Sequence, residues 1–242
     1  MKLPRSQAIP VPEISREEMQ KEKEELSSGR MRIKIMGLLL AILLLIALGA
    51  FASSAMATNA RSFPIMMDPN RLETASISLS EDESFADPTV HLEAPVPVSF
   101  DNISGFDLPP DLDGEERGCH NGANYIAYTF FVRNSGDGDC SLSERMGLSD
   151  SGKGADKAVR IRVYRDGMDM IYAAAGDDGI PEVGTVPFTD NETVFDTVGT
   201  LAAGKQRKYT IVIWLEGDDP DCTDEIKGGT VRFFLDFTAG EN

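Results

Sequence analysis

The loop Glu216-Gly-Asp-Asp-Pro-Asp-Cys-Thr-Asp-Glu225 packs six carboxylates and a cysteine into ten residues. Asp218, Asp219, Asp221 and Asp224 offer the hard oxygen ligands that Ca²⁺ collects, roughly six to eight per ion. The same residues also suit a solvated turn, because Asp bonds back to its own main chain and Pro220 fixes a bend. No spacing in the loop follows the EF-hand pattern. Calcium ligation and a plain turn both stay open, and no other cofactor is implied.

Cysteine is the second source of chemistry. Cys119, Cys140 and Cys222 are the three thiols of the chain. No CxxC occurs, and the two histidines, His91 and His120, leave little from which to build a zinc site. Cys119 precedes the apolar run Tyr125–Val132, and Cys222 follows the run Tyr209–Leu215. If those runs are antiparallel neighbours, the two thiols meet at one end and Cys140 is left over. Such a bridge closes a loop of about 100 residues and contributes ~4 kcal/mol in the chain-entropy picture. A Cys140–Cys222 pair is the competing arrangement. Catalytic motifs are missing: there is no His-Glu-x-x-His, no Gly-x-Ser-x-Gly and no phosphate loop.

These groups sit in a chain that changes character along its length. No charge occurs from Ile35 to Ala60, and Met36–Phe51 is almost wholly aliphatic. At 1.5 Å per helical residue such a run reaches across a ~30 Å hydrocarbon layer. Arg30, Arg32 and Lys34 precede it, which by the positive-inside rule holds the N-terminus in the cytoplasm and exports the C-terminal remainder of the chain. The Ala55-Met-Ala57 tail also fits a signal-peptidase site, so the run is either a signal anchor or a signal peptide. Residues 1–57 carry a net charge of +2 and residues 58–242 a net charge of −19. An exterior so acidic repels nucleic acid and anionic headgroups, and favours cations and basic partners.

Four segments are expected. Residues 1–34 form a cytoplasmic piece with a short charged helix opened by the capping box Ser15-Arg-Glu-Glu18. Residues 35–57 form the membrane run. Residues 58–88, with Pro64, Pro69 and Pro88 around an acidic serine stretch, read as an extended linker. Residues 89–242 show a period of two. Val159, Ile161 and Val163 alternate with Arg160, Arg162 and Tyr164, and Val231 to Phe237 alternates in the same way. Tyr125–Val132 and Tyr209–Leu215, apolar on both faces, read as central strands. Asp166-Gly167 marks a two-residue hairpin. Weaker strands near 91–100 and 194–201 bring the expected number to about seven, in an all-β sandwich of two sheets. Trp214 and Phe234 then serve packing, and His120 sits in a loop.

Three stretches in order, Asn124–Gly136, Ala158–Gly167 and Lys208–Asp224 followed by Gly228–Phe237, resemble the C-terminal half of the TasA/camelysin-type exported proteins of Gram-positive bacteria. The likeness covers residues 119–238, and Trp-Leu-Glu-Gly-Asp-Asp-Pro-Asp-Cys is its most specific run. It implies an Ig-like or jelly-roll sandwich outside the cell, belonging to a biofilm-matrix subunit or to a surface protein with peptidase activity. The chain departs from that pattern in the 34 residues before its apolar run. The expected role is a membrane-anchored extracellular structural, adhesion or matrix protein that contacts other surface proteins or copies of itself. A metal-dependent peptidase of camelysin type is the alternative.

Overall fold

The computed structural model describes residues 62–67, 77–97, 99, 101–115, 117–176 and 179–241. The charged helix and the apolar run expected within residues 1–57 lie outside these. Among the described residues no helix is long and apolar enough to cross a membrane.

Twelve strands appear among the described residues: β1 (Ser62–Met67), β2 (Ile77–Ser80), β3 (His91–Pro95), β4 (Gly118–Cys119), β5 (Tyr125–Asn134), β6 (Cys140–Ser151), β7 (Val159–Arg165), β8 (Met168–Ala173), β9 (Val186–Pro187), β10 (Thr193–Leu201), β11 (Gln206–Leu215) and β12 (Val231–Glu241). They form two sheets. One has the order β10-β6-β12-β1-β3, and the other runs β2-β5-β11-β7-β8-β9 with β4 beside β5. The all-β sandwich expected from the period of two is therefore present. β5 and β11 are antiparallel neighbours in register from Tyr125 opposite Trp214 to Arg133 opposite Gln206. Asp166 and Gly167 both take positive φ, 49° and 82°, which is what a tight β7–β8 hairpin of matching twist requires.

The linker expected at 58–88 is corrected. β1 enters the first sheet between β12 and β3, parallel to β12 and antiparallel to β3. Phe63, Ile65 and Met67 are buried, as are Ile77 and Leu79 of β2, which pairs with β5 in the second sheet. Five apolar side chains at alternate positions thus belong to the core, and the sandwich begins at residue 62 instead of 89.

The core lies between the sheets. Phe130 stacks on Tyr209 with ring centroids 5.2 Å apart, and Phe237 meets both rings edge-on. A second, smaller cluster covers the outer face of the β5–β11–β7 sheet. Residues 101–115 cross that face, and Leu108 and Leu112 plug down onto Ala127, Tyr164, Val212 and Trp214. Strands apolar on both faces need such a cover, which is why β5 and β11 read as central. The strap is tied in place by polar bonds. Glu216 accepts from Gly105 N and from Trp214 Nε1 at 2.9 Å, and Thr210 donates to Asp113 at 2.9 Å. A Cβ at Gly105 would stand 3.0 Å from Glu216 Oε2 and 3.3 Å from the Trp214 ring, so a side chain there would have to push the carboxylate or the indole aside by a few tenths of an ångström.

Candidate functional site

Four carboxylates of the acidic loop, those of Glu216, Asp218, Asp219 and Asp224, bond to the protein itself. Asp219 turns inward, fully buried, and pairs with the buried Arg160 guanidinium of β7. Glu182 stands 3.5 Å from the same guanidinium. The other Asp219 oxygen accepts from Asp221 N at 2.7 Å. Asp218 accepts from Ser104 Oγ at 2.6 Å, which fastens the strap, and Asp224 pairs with Lys227 at 2.8 Å. That Lys227 partner holds the Asp224 carboxyl below its ordinary range. Three of the four expected calcium ligands, Asp218, Asp219 and Asp224, are therefore held by separate partners within the protein. Among the described residues no group of three or more His, Cys, Asp or Glu is placed to hold a metal ion. Arg160 explains the change, because a buried cation takes the carboxylate that an external ion would need. Its position on an outward-facing, charge-alternating strand did not mark it as buried.

All three cysteines carry free thiols. The neighbouring antiparallel strands that the Cys119–Cys222 pairing required are there, yet the pairing is not. After Cys119 the chain doubles back through a turn closed by Gly122 N to Tyr125 O, and lays Cys119 opposite Tyr128. It does so on the β5 edge that faces away from β11, so β5 stands between Cys119 and the strand from which the Cys222 loop springs. Cys222 instead accepts from Asn102 Nδ2 at 3.5 Å, and burial pushes its thiol up. Cys140 is buried at the start of β6 and donates to Leu201 O at 3.5 Å. His120 holds a structural place, with its ring nitrogens 3.0 and 3.1 Å from the carbonyl oxygens of Gly118 and Leu112. Trp214 is buried, as expected for packing.

One polar cluster was missed in the sequence. Glu144 points from β6 into the space between the sheets, in line with Cys140, Leu142 and Met146. There it accepts from Arg165 Nε at 2.6 Å, from Arg207 Nη1 at 2.9 Å and from the Tyr209 hydroxyl. Burial and the adjacent carboxylate push the Tyr209 hydroxyl well up. Burial alone would lower the Arg165 guanidinium, but Glu144 and Tyr172 together more than offset it. The cluster is an internal clasp from sheet to sheet. The available signal was a lone acid at an inward position of an alternating run.

Beyond these side chains, sheet edges carry main-chain groups that another strand can pair with. β10 ends the first sheet, nine residues long, and among the described residues no strand pairs with its outer edge. The other edges are guarded. β3 has five residues ending in Pro95, β2 has four, and β9 has two including Pro187. β10 contains no proline or lysine and a single charge, Asp196, and its Val198 is 70% exposed. Such an edge is a template for another strand. Neither a protein-family model nor a curated protein matches the chain.

Proposed function

We propose that the chain is a membrane-anchored structural or adhesion component of the cell envelope, acting through protein–protein contacts rather than catalysis. The observation that carries this reading is the long unguarded β10 edge on an otherwise closed sandwich. Edge pairing supplies affinity through main-chain hydrogen bonds and needs no reactive side chain. The uncharged run 35–57 after Arg30, Arg32 and Lys34 supports a single span with the N-terminus inside and the sandwich outside. The likeness of residues 119–238 to TasA/camelysin-type proteins supports an Ig-like or jelly-roll module of the cell surface or matrix. The partners are other surface or matrix proteins or further copies of the chain; the acidic exterior disfavours nucleic acid.

Two measurements test the role. Protease added to intact cells should remove the sandwich; a sandwich that is spared places it inside and ends the reading. Purified full-length chain in detergent should assemble with itself or with envelope proteins, and should leave casein intact with or without a chelator. Chelator-sensitive casein cleavage would move the assignment to the peptidase alternative.

A further inference from the structure

The edge of β10 overlooks an unfinished part of the sandwich. Met168 and Met170 of β8 stand opposite Arg165 and Val163 of β7. Cross-strand neighbours share a face, and Val163 is fully buried between the sheets. Met168 and Met170 therefore project into the layer that the first sheet occupies. They are nevertheless 76% and 44% exposed. The first sheet stops before it covers them. Phe195 of β10 packs on Tyr172 at 4.9 Å and under the Arg165 guanidinium at 4.8 Å, which fixes β10 above β7 and the far end of β8. One further strand spacing outward, about 4.8 Å, lies the space above the two methionines.

The ends of β10 are already tied. Val194 O and Thr193 O accept from the main chain of Thr189 and Asp190, Thr200 O accepts from Arg207, and Leu201 O accepts from Asn134. Between them Phe195–Gly199 stays open. The opening is five residues long, with a methionine floor. Its rim is acidic: Asp196 of β10 and Asp166 of the β7–β8 turn flank it, on an exterior of net −19. The cation that Asp166 contacts, Arg207, belongs to the sandwich itself and also holds Thr200 O of β10.

We infer that the β10 edge and the Met168–Met170 floor form a slot for one extended segment of a partner protein, apolar at every second residue and carrying Lys or Arg between. This rests on the contact role proposed above and names where the contact is made. Main-chain bonds to Phe195–Gly199 hold the segment, alternate apolar side chains settle on the methionines, and its cations meet the aspartate rim. Methionine suits a floor of this kind because its flexible thioether adapts to different side chains. A second folded copy does not fit the same space. Two-fold pairing of β10 with its equivalent would bring a second β8 against the first, since each projects from beneath its own β10. A lone strand meets no such obstacle.

The test uses full-length chain in detergent and a labelled nonapeptide, Lys-Val-Thr-Val-Lys-Val-Thr-Val-Lys, followed by fluorescence anisotropy and hydrogen exchange. The peptide should bind and slow exchange at the amides of residues 195–199. A version with proline at the central position, and the chain carrying M168S and M170S together, should each bind about tenfold more weakly, or ~1.4 kcal/mol. The melting temperature of the double variant should fall little, because Met168 is largely in water and Met170 nearly half so. Unchanged affinity in the double variant overturns the slot, as does equal binding of a scrambled peptide of the same composition. A chain dimer protected at 195–199 that the peptide cannot displace also overturns it, in favour of a copy. If peptide binding fails while assembly persists, the slot falls and the structural role survives; if assembly with any envelope protein also fails, the role falls too.

Discussion

At the scale of single residues, Glu144 is the side chain on which the two sheets agree. It is almost fully buried yet ionically satisfied by two arginines and a tyrosine from the facing sheet. Removing the charge takes the anionic partner from Arg165 and one of two from Arg207, which keeps Asp166, and breaking a buried pair on one side costs roughly 3–5 kcal/mol. Glu144→Gln should lower the urea midpoint accordingly, and a loss under ~1 kcal/mol would show the clasp to be dispensable. The same cluster sets an alkaline limit. Tyr209 is pushed up by burial and by Glu144, and Tyr128 is pushed up by burial and by its bond to Glu81. A group whose folded pKa is raised gives its full stabilisation below its unfolded value, about 10 for tyrosine, and loses it as pH climbs toward the folded value. Stability should therefore fall above about pH 10, by up to ~1.4 kcal/mol per pH unit for each tyrosine, and the melting temperature should drop with it. Tyr209→Phe should make that slope shallower, and an identical slope in the variant would remove Tyr209 from the explanation.

At the scale of elements, legibility followed how cleanly a strand shows its period. β5, β7, β8, β11 and β12 were readable because their apolar positions alternate or run unbroken between turn residues. β6 was missed because its inward line, Cys140, Leu142, Glu144 and Met146, is interrupted by an acid, and because serines fill the outward line. β1 and β2 were missed because Pro64 and Pro69 look like linker punctuation. Pro64 sits in a strand whose partners are β12 on one side, over only three residues, and β3 on the other. The acidic loop was legible as a turn, while its inward aspartate was not, since nothing local shows that Arg160 lies beneath it. β1 is the strand to test. Ile65 is fully buried, and Ile→Ala in a core costs about 2–5 kcal/mol. Ile65→Ala should destabilise the fold by that amount; a free linker would respond with less than ~0.5 kcal/mol.

At the scale of the whole molecule, charge decides which kind of partner the open edge admits. The chain carries −17 in total, with −19 on residues 58–242, so two copies meet as like charges. Raising ionic strength from 0.01 to 0.15 M shortens the screening length from about 30 to about 8 Å, which weakens such repulsion. Self-association should then strengthen with salt, and so should resistance to heat, because self-repulsion also strains the compact state. Attraction between the aspartate rim and a basic segment responds in the opposite sense. Peptide binding to the β10 edge should weaken over the same salt range, while association of copies, where it occurs, should grow. Binding of a basic segment at the edge and association of like-charged copies are thus separable by the sign of a single titration. Anisotropy of the labelled nonapeptide and sedimentation of the unliganded chain, run side by side across that range, read both signs. Peptide affinity that rises with salt would show that apolar contact outweighs the rim, and that the partner segment has no need of cations.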